Sequence, residues 1–347
     1  MSDSRLFALR QPVFAALYNV GFGAISIGFT VLVTRRLDVE EAGSTLVTWN
    51  VLLILGAILI QPAEIFAPRL AMEISVAGGR QQDVRCGITQ LVVTGCLATL
   101  VMTSGWGLLV GHDLSWLAST GIVISGFGML YLHRARLVAK AEYGRLTVVA
   151  TGTAALTVLV TTVALVFEIG DSPQVLLVVS AAVFIVPIIA ELADQRDRPF
   201  LRECLGLKRG PVSLPTMLST TASLGVTSAV SLLLVAGGPP IGSLVGMDPP
   251  KLASYAVASS VASVPFIMLM SAMMPLVNRS VALVNSRHWG GLKILLQRSM
   301  GLLFLATIVL SIFGGLFGTY FLEVYLGSNL ALSNLEVGAI LLSLIHI

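Results

Sequence analysis

The chain has 347 residues, of which 56% are hydrophobic and 11% charged, and its mean hydropathy is +0.91. Soluble domains carry about 25% charged and about 45–50% apolar residues, so an ordinary soluble enzyme, a disordered chain, a collagen and a disulfide scaffold are excluded. The net charge of +3 is too small for a nucleic-acid-binding protein. What remains is an all-α polytopic membrane protein whose first partner is membrane lipid.

A membrane-spanning helix needs about 20 predominantly apolar residues. Runs without Asp, Glu, Lys or Arg occur at 11–34, 42–63, 86–112, 114–133, 146–167, 172–190, 210–247, 252–278 and 299–322. They predict nine complete spans, and an apolar segment at 337–347 begins a tenth. The first run is too long for a cleavable h-region and reads as a retained span. Gly237, Gly238, Pro239, Pro240 and Gly242 break the long seventh run, so span 7 is expected to end near Ala236 and an outer loop to follow. β-Barrel strands would be only about 9–11 residues long, which these runs exceed.

Lys and Arg in the loops set the direction. With the N-terminus in the cytoplasm, 18 of the 21 cations fall on the inner side. Only Arg35, Arg36 and Lys251 lie outside. On this reading Arg69, Arg134, Arg136, Lys140 and Arg145 are chiefly loop residues that signal topology. The cysteines Cys86, Cys96 and Cys204 form no CxxC pair, and nothing in their spacing suggests a disulfide or a metal site.

The largest cytoplasmic connection follows span 6 and contains DQRDRP and LKRG. It divides the chain into two bundles: a six-helix lobe at 1–192, a linker at 193–210 and an incomplete second lobe at 211–347. A faint six-span repeat supports the division. Arg10-Gln11-Pro12-Val13 opens span 1 and Arg209-Gly210-Pro211-Val212 opens span 7, while Pro68-Arg69 and Pro275 with Arg279 close spans 2 and 8. Two full lobes need twelve helices, so the sequence reads as a truncated frame.

No catalytic signature is present. GxxxxGK[ST], HExxH, GxSxG and DxD are all missing, and the outer loops are too short for an external catalytic domain. The expectation is a non-enzyme without cofactor or metal, and work on a substrate would be transport.

The layout resembles the polysaccharide flippase branch of the multidrug/oligosaccharidyl-lipid/polysaccharide exporter superfamily. The points of similarity are Arg35-Arg36-Leu37 with Glu40-Glu41-Ala42-Gly43 before span 2, Pro68-Arg69-Leu70-Ala71 closing it, and Arg136, Lys140 and Ala141-Glu142-Tyr143-Gly144-Arg145 between spans 4 and 5. Residues 1–345 fit the order of elements, with the last two helices missing. The resemblance implies two lobes that rock between inward-open and outward-open states in the cytoplasmic membrane. It implies a lipid-linked oligosaccharide or polysaccharide precursor as substrate, and glycosyltransferases or a polymerase of the same pathway as partners. The alternatives are an ion-coupled drug or metabolite antiporter of the same superfamily and a non-transporting scaffold for glycan assembly.

Intramembrane polar groups point to a path, because lipid tolerates them poorly. Glu64, in Gln61-Pro62-Ala63-Glu64, is the one acid expected within a span. It reads as an ion-linked carboxylate, as a partner of Arg69, or as an end-of-helix acid reaching headgroup water. Asn19 and Asn50 read either as cavity-wall donors to sugar hydroxyls or as ties between helices. Arg69 and Arg279 would capture phosphate at the inner mouth of the cleft. The spans hold no Lys or Arg at mid-depth, which counts against a diphosphate-bearing cavity. Prolines in spans 2, 6, 7 and 8 mark kinks that accompany gating or ordinary membrane packing.

Overall fold

The computed structural model describes residues 23–76, 78–79, 81–109, 113–140, 142–195, 222–226, 237–248, 250–259 and 286–326, with short stretches at 219, 233, 280, 283–284, 333–335 and 338–339. All of its regular elements are helices. In chain order they are α1 (23–36), α2 (Val39–Leu59), α3 (Pro62–Val76), α4 (Gln81–Leu109), α5 (Leu114–Ala139), α6 (Tyr143–Val166), α7 (Pro173–Ala181) and α8 (Ile185–Gln195), followed by a short helix at Gly238–Leu244 and a long one at Trp289–Leu326. Five stretches among the described residues are long and apolar enough to cross a membrane: Val39–Val76, Gln82–Leu109, Leu114–Ala139, Tyr143–Val166 and Pro173–Ala193. They coincide with spans 2 to 6 of the sequence reading.

Helix starts follow from local chemistry. The Asp38 carboxylate accepts from the Glu40 and Glu41 amides at 3.0 and 2.9 Å, and Glu40 and Glu41 place negative charge at the positive end of α2. Asp113 caps α5 through the Trp116 amide at 2.9 Å. Pro173 begins α7, where its missing donor is not needed.

Three boundaries differ from expectation. Span 2 does not end near residue 63. The helix interrupts at Ile60-Gln61, where both amides turn back to the Gly56 carbonyl, and restarts at Pro62. Proline disfavours helical geometry at the residue before it yet suits a first helical position. Pro68, expected to close the span, lies inside α3, and membrane helices tolerate such a break when neighbours shield the freed carbonyl. Arg134 and Arg136 are not loop residues, because α5 continues to Ala139. The Gly-Pro-rich stretch after residue 236 is not wholly loop either. Gly238–Leu244 is helical, with Pro239 and Pro240 in its first turn, and it packs on α2. The expectation about cysteine also fails: Cys86 is disulfide-bonded, while Cys96 is a free thiol. Sequence spacing carries no information on such tertiary pairing.

α5 is the hub, packing against α3, α4, α7 and α8. An aromatic row links the bundle. Phe29 stacks on Trp49 at 4.2 Å between centroids, Trp49 meets Phe127 at 5.9 Å, and Phe127 meets Phe184 edge-on at 4.9 Å. Glycine allows the closest approaches. A Cβ on Gly95 of α4 would stand 2.2 Å from the Leu59 carbonyl oxygen at the end of α2. Phe184 lies in a short 3-10 turn just before Pro187, which lacks the amide that would continue a regular ladder there.

At one end of this bundle the loop after α1 meets the loop after α6. The Arg36 guanidinium donates to the Glu168 carbonyl at 2.5 Å and to Asp171 Oδ1 at 2.6 Å. Both loops are outer in the sequence topology, so the packing agrees with the alternation of spans.

Candidate functional site

The opposite end, inner in the sequence topology, holds the chemistry. Three residues of α5 reach three neighbouring helices. His133 and Arg136 are three apart and share one face, and both meet Glu191 of α8. His133 Nδ1 lies 2.9 Å from Glu191 Oε2, and Arg136 pairs with Oε1 of the same carboxylate. Arg134 lies about 100° round the helix from His133 and turns to α3, where its Nε stands 3.2 Å from Glu64 Oε2 and one terminal amine donates to Oε1 at 3.4 Å. The Arg134 guanidinium also lies 5.1 Å from the Tyr131 ring centroid. A further link runs to α4: Arg136 donates to the Thr89 hydroxyl at 3.1 Å, and that hydroxyl donates to the Arg85 carbonyl at 2.8 Å.

Every charged member of this network is buried. Exposure is 2% for Glu64, 0% for Glu191, 5% for Arg134, 2% for Arg136 and 3% for His133. Charges withdrawn from solvent persist when paired. Here α5 ties α3, α4 and α8 together through polar contacts that a slide or rotation of one helix would break.

Beside the network a pocket of about 630 Å³ opens between the inner ends of α3, α4 and α5. Ala71, Ile74 and Ser75 form one wall, and Arg85, Arg136, Lys140 and Glu142 contribute its charged groups.

Of the described residues singled out by sequence, Glu64 alone belongs to the buried network. Glu64 is in the network, but its partner is Arg134, not Arg69, and it does not reach headgroup water. Arg69 is on the exposed face of α3, where it pairs with Glu73 at 2.7 Å and lies 5.9 Å from the Phe66 ring centroid. Gln61 is half-buried in the turn between α2 and α3. Asn50 is buried in α2, and its Nδ2 finds no acceptor among the described residues. Asn19 and Arg279 lie outside the described residues. The sequence reading missed Glu191, His133, Arg134 and Arg136. It counted the two arginines as topology signals and held Glu64 to be the one intramembrane acid. The available clue was the close spacing of His133, Arg134 and Arg136 directly after an apolar run, with Glu191 closing another.

No family model matches the chain, and no curated protein matches it. Among solved structures it is similar to an inward-facing conformation of a multidrug resistance MATE family transporter of the MOP superfamily. That likeness has a TM-score of 0.59 at 13% identity and covers 98% of this chain and 79% of the other. A crystal structure of MATE in complex with MaD3S aligns at 13% identity over 99% of this chain and 70% of the other, with a TM-score of 0.40. At such identities the first likeness shows the fold: the protein is an all-α, multi-pass membrane protein with the MATE-like helical architecture.

Proposed function

We propose that the protein is a membrane transporter that works by alternating access, and that its cargo is a lipid-linked oligosaccharide or polysaccharide precursor of the cytoplasmic membrane. The observation that carries the transport reading is the fold likeness to a transporter along nearly the whole chain. The substrate reading rests on the loop residues that resemble the flippase branch and on the basic inner pocket, a chemistry suited to phosphate-bearing lipids. The two-lobe division at 193–210 belongs to this proposal, as do glycosyltransferases or a polymerase as neighbours in the membrane.

A second reading is an ion-coupled drug or metabolite antiporter, which the fold accommodates equally well. The buried carboxylates Glu64 and Glu191 favour it, because ion coupling needs membrane-embedded acids. Both are held by guanidinium groups, so coupling would require those pairs to open during the cycle.

The experiment is reconstitution into proteoliposomes with two cargoes. Translocation of a fluorescent lipid-linked oligosaccharide, independent of an imposed ion gradient, supports the flippase reading. Gradient-driven efflux of a cationic dye, abolished in Glu64→Gln or Glu191→Gln at normal protein levels, supports the antiporter. Neither activity would overturn transport and leave the scaffold.

A further inference from the structure

Inner charges are handled differently before and after the linker. In the first bundle Arg69, Arg134, Arg136 and Arg145 pair with Glu73, Glu64, Glu191 and Glu142. Beyond the linker, Arg287 precedes the long helix Trp289–Leu326, and Lys293 and Arg298 lie in its first three turns. No acid occurs in the sequence between Asp248 and Glu323. All three cations are exposed, and none is ion-paired among the described residues. We infer that this collar of charge is a docking surface for the anionic phospholipid headgroups of the inner leaflet. Inner is the side assigned by the sequence topology, on which the inference rests.

Length places the collar at the membrane surface. The helix has 38 residues, about 57 Å, against about 30 Å of hydrocarbon. Its charge-free stretch 299–322 is about 36 Å long and fills that thickness. Residues 289–298 therefore stand in the headgroup layer and beyond it.

The side chains are arranged to match that boundary. Leu292, Leu295 and Ser299 recur every three to four residues and form the covered face. Trp289, Lys293, Leu296 and Met300 form an exposed stripe at the same spacing, with Trp289 at 61% and Met300 at 69%. Along this stripe an indole and an ammonium give way to hydrocarbon, which is the order of environments met on entering a leaflet. An indole ring sits at headgroup level, and a lysine stem lies on apolar surface while its ammonium stays among phosphates. Arg298 is about 140° round the helix from Lys293. The charge thus encircles the helix, as suits one that crosses a plane of headgroups. An acidic soluble protein would be drawn by the same charge, but it would gain nothing from the apolar stripe that carries the charge into the bilayer.

The collar is also held in place. The Arg287 amide donates to the Val284 carbonyl and the His288 amide to the Leu283 carbonyl, each at 2.9 Å, and His288 Nδ1 accepts from the Gly291 amide at 3.1 Å. A preformed turn lowers the ordering cost of holding a headgroup. Clustered cations beside a span are the chemistry that attracts anionic lipid.

The test is native mass spectrometry of the full chain released from nanodiscs of phosphatidylglycerol and phosphatidylcholine in equal amounts. The expected result is retention of phosphatidylglycerol over phosphatidylcholine by about tenfold. The combined Arg287→Gln, Lys293→Gln and Arg298→Gln variant should lower that preference severalfold, and Lys293→Arg should keep it. Trp289→Ala should lower retention with the charge intact. Arg145→Gln, which removes an exposed inner cation already paired with Glu142, should leave it unchanged. No preference in the unsubstituted chain, a preference that survives the triple variant, or an equal drop in Arg145→Gln would overturn the surface. Displacement of the lipid by soluble polyglutamate would overturn the lipid assignment in favour of an acidic protein. None of these readouts involves translocation, so failure here is distinguishable from failure of the transport reading.

Discussion

The two ends of the first bundle treat charge in opposite ways. At the outer end, Arg36 and Asp171 join two loops, and Asp171 remains 88% exposed. At the inner end, Glu64, Glu191, Arg134, Arg136 and His133 sit inside the helices and tie α5 to its neighbours. A pair with one well-solvated partner contributes about 0–1 kcal/mol, because water already stabilises the Asp171 carboxylate. A buried pair contributes little relative to an apolar replacement, yet losing one partner strands the other charge in a medium that cannot solvate it. The inner end therefore specifies one arrangement of helices, whereas the outer end only tethers loops.

Substitutions can break this contrast. The largest effect is expected for Glu191→Ala, which strands Arg136 and His133 together. It should cost about 3–5 kcal/mol and appear as a large drop in thermal midpoint or in monodisperse yield from detergent. Next comes a cycle across α3 and α5. Arg134→Met alone should destabilise by about 3 kcal/mol, and adding Glu64→Leu should restore most of the loss, because no charge is then left alone. Additive losses in that cycle would show that the pair is not coupled.

Gly95→Ala tests packing rather than charge. The added methyl would collide with the Leu59 carbonyl, and a loss of about 1–3 kcal/mol is expected from the forced separation of α4 and α2. At the outer end, Asp171→Ala should shift stability by no more than about 1 kcal/mol. A loss as large as that of Glu191→Ala would erase the distinction between the two ends.

The smallest effect concerns pH. The Trp116 amide, and after it the Ser115 hydroxyl, hold the Asp113 carboxyl below its usual value. A lowered folded-state value gives stabilisation that is present above the unfolded pKa and disappears as pH falls through the folded one. The advantage of wild type over Asp113→Ala should accordingly be constant near neutrality and fade below about pH 4. Thermal melts of both proteins across that range would measure it.

Much of the fold was legible in the sequence. Charge-free runs located spans 2 to 6, since the cost of burying charge in lipid leaves long gaps between ionisable residues, although spans 2 and 4 run on well past the ends of their runs. The caps at Asp38 and Asp113 were not picked out by the charge-free runs, although a side-chain acceptor next to unsatisfied amides is a local event. The helix ends were less legible. α3 runs through Pro68, α5 carries Arg134 and Arg136, and Gly238–Leu244 turns helical despite its prolines.

The candidate site was mostly illegible. Glu64 was picked out for its position in an apolar segment, with Arg69 weighed as one partner beside an ion-linked role and a headgroup-facing one. The true partner, Arg134, is 70 residues away. Glu191 and His133 are 58 residues apart, and each alone looks like a polar residue at a helix end. Composition and hydrophobic length thus determined that the chain is helical and membrane-spanning and set the order of spans 2 to 6, because those properties are summed over single residues. Only the tertiary structure decided which inner charges are buried and paired, because that depends on which helix faces meet around α5.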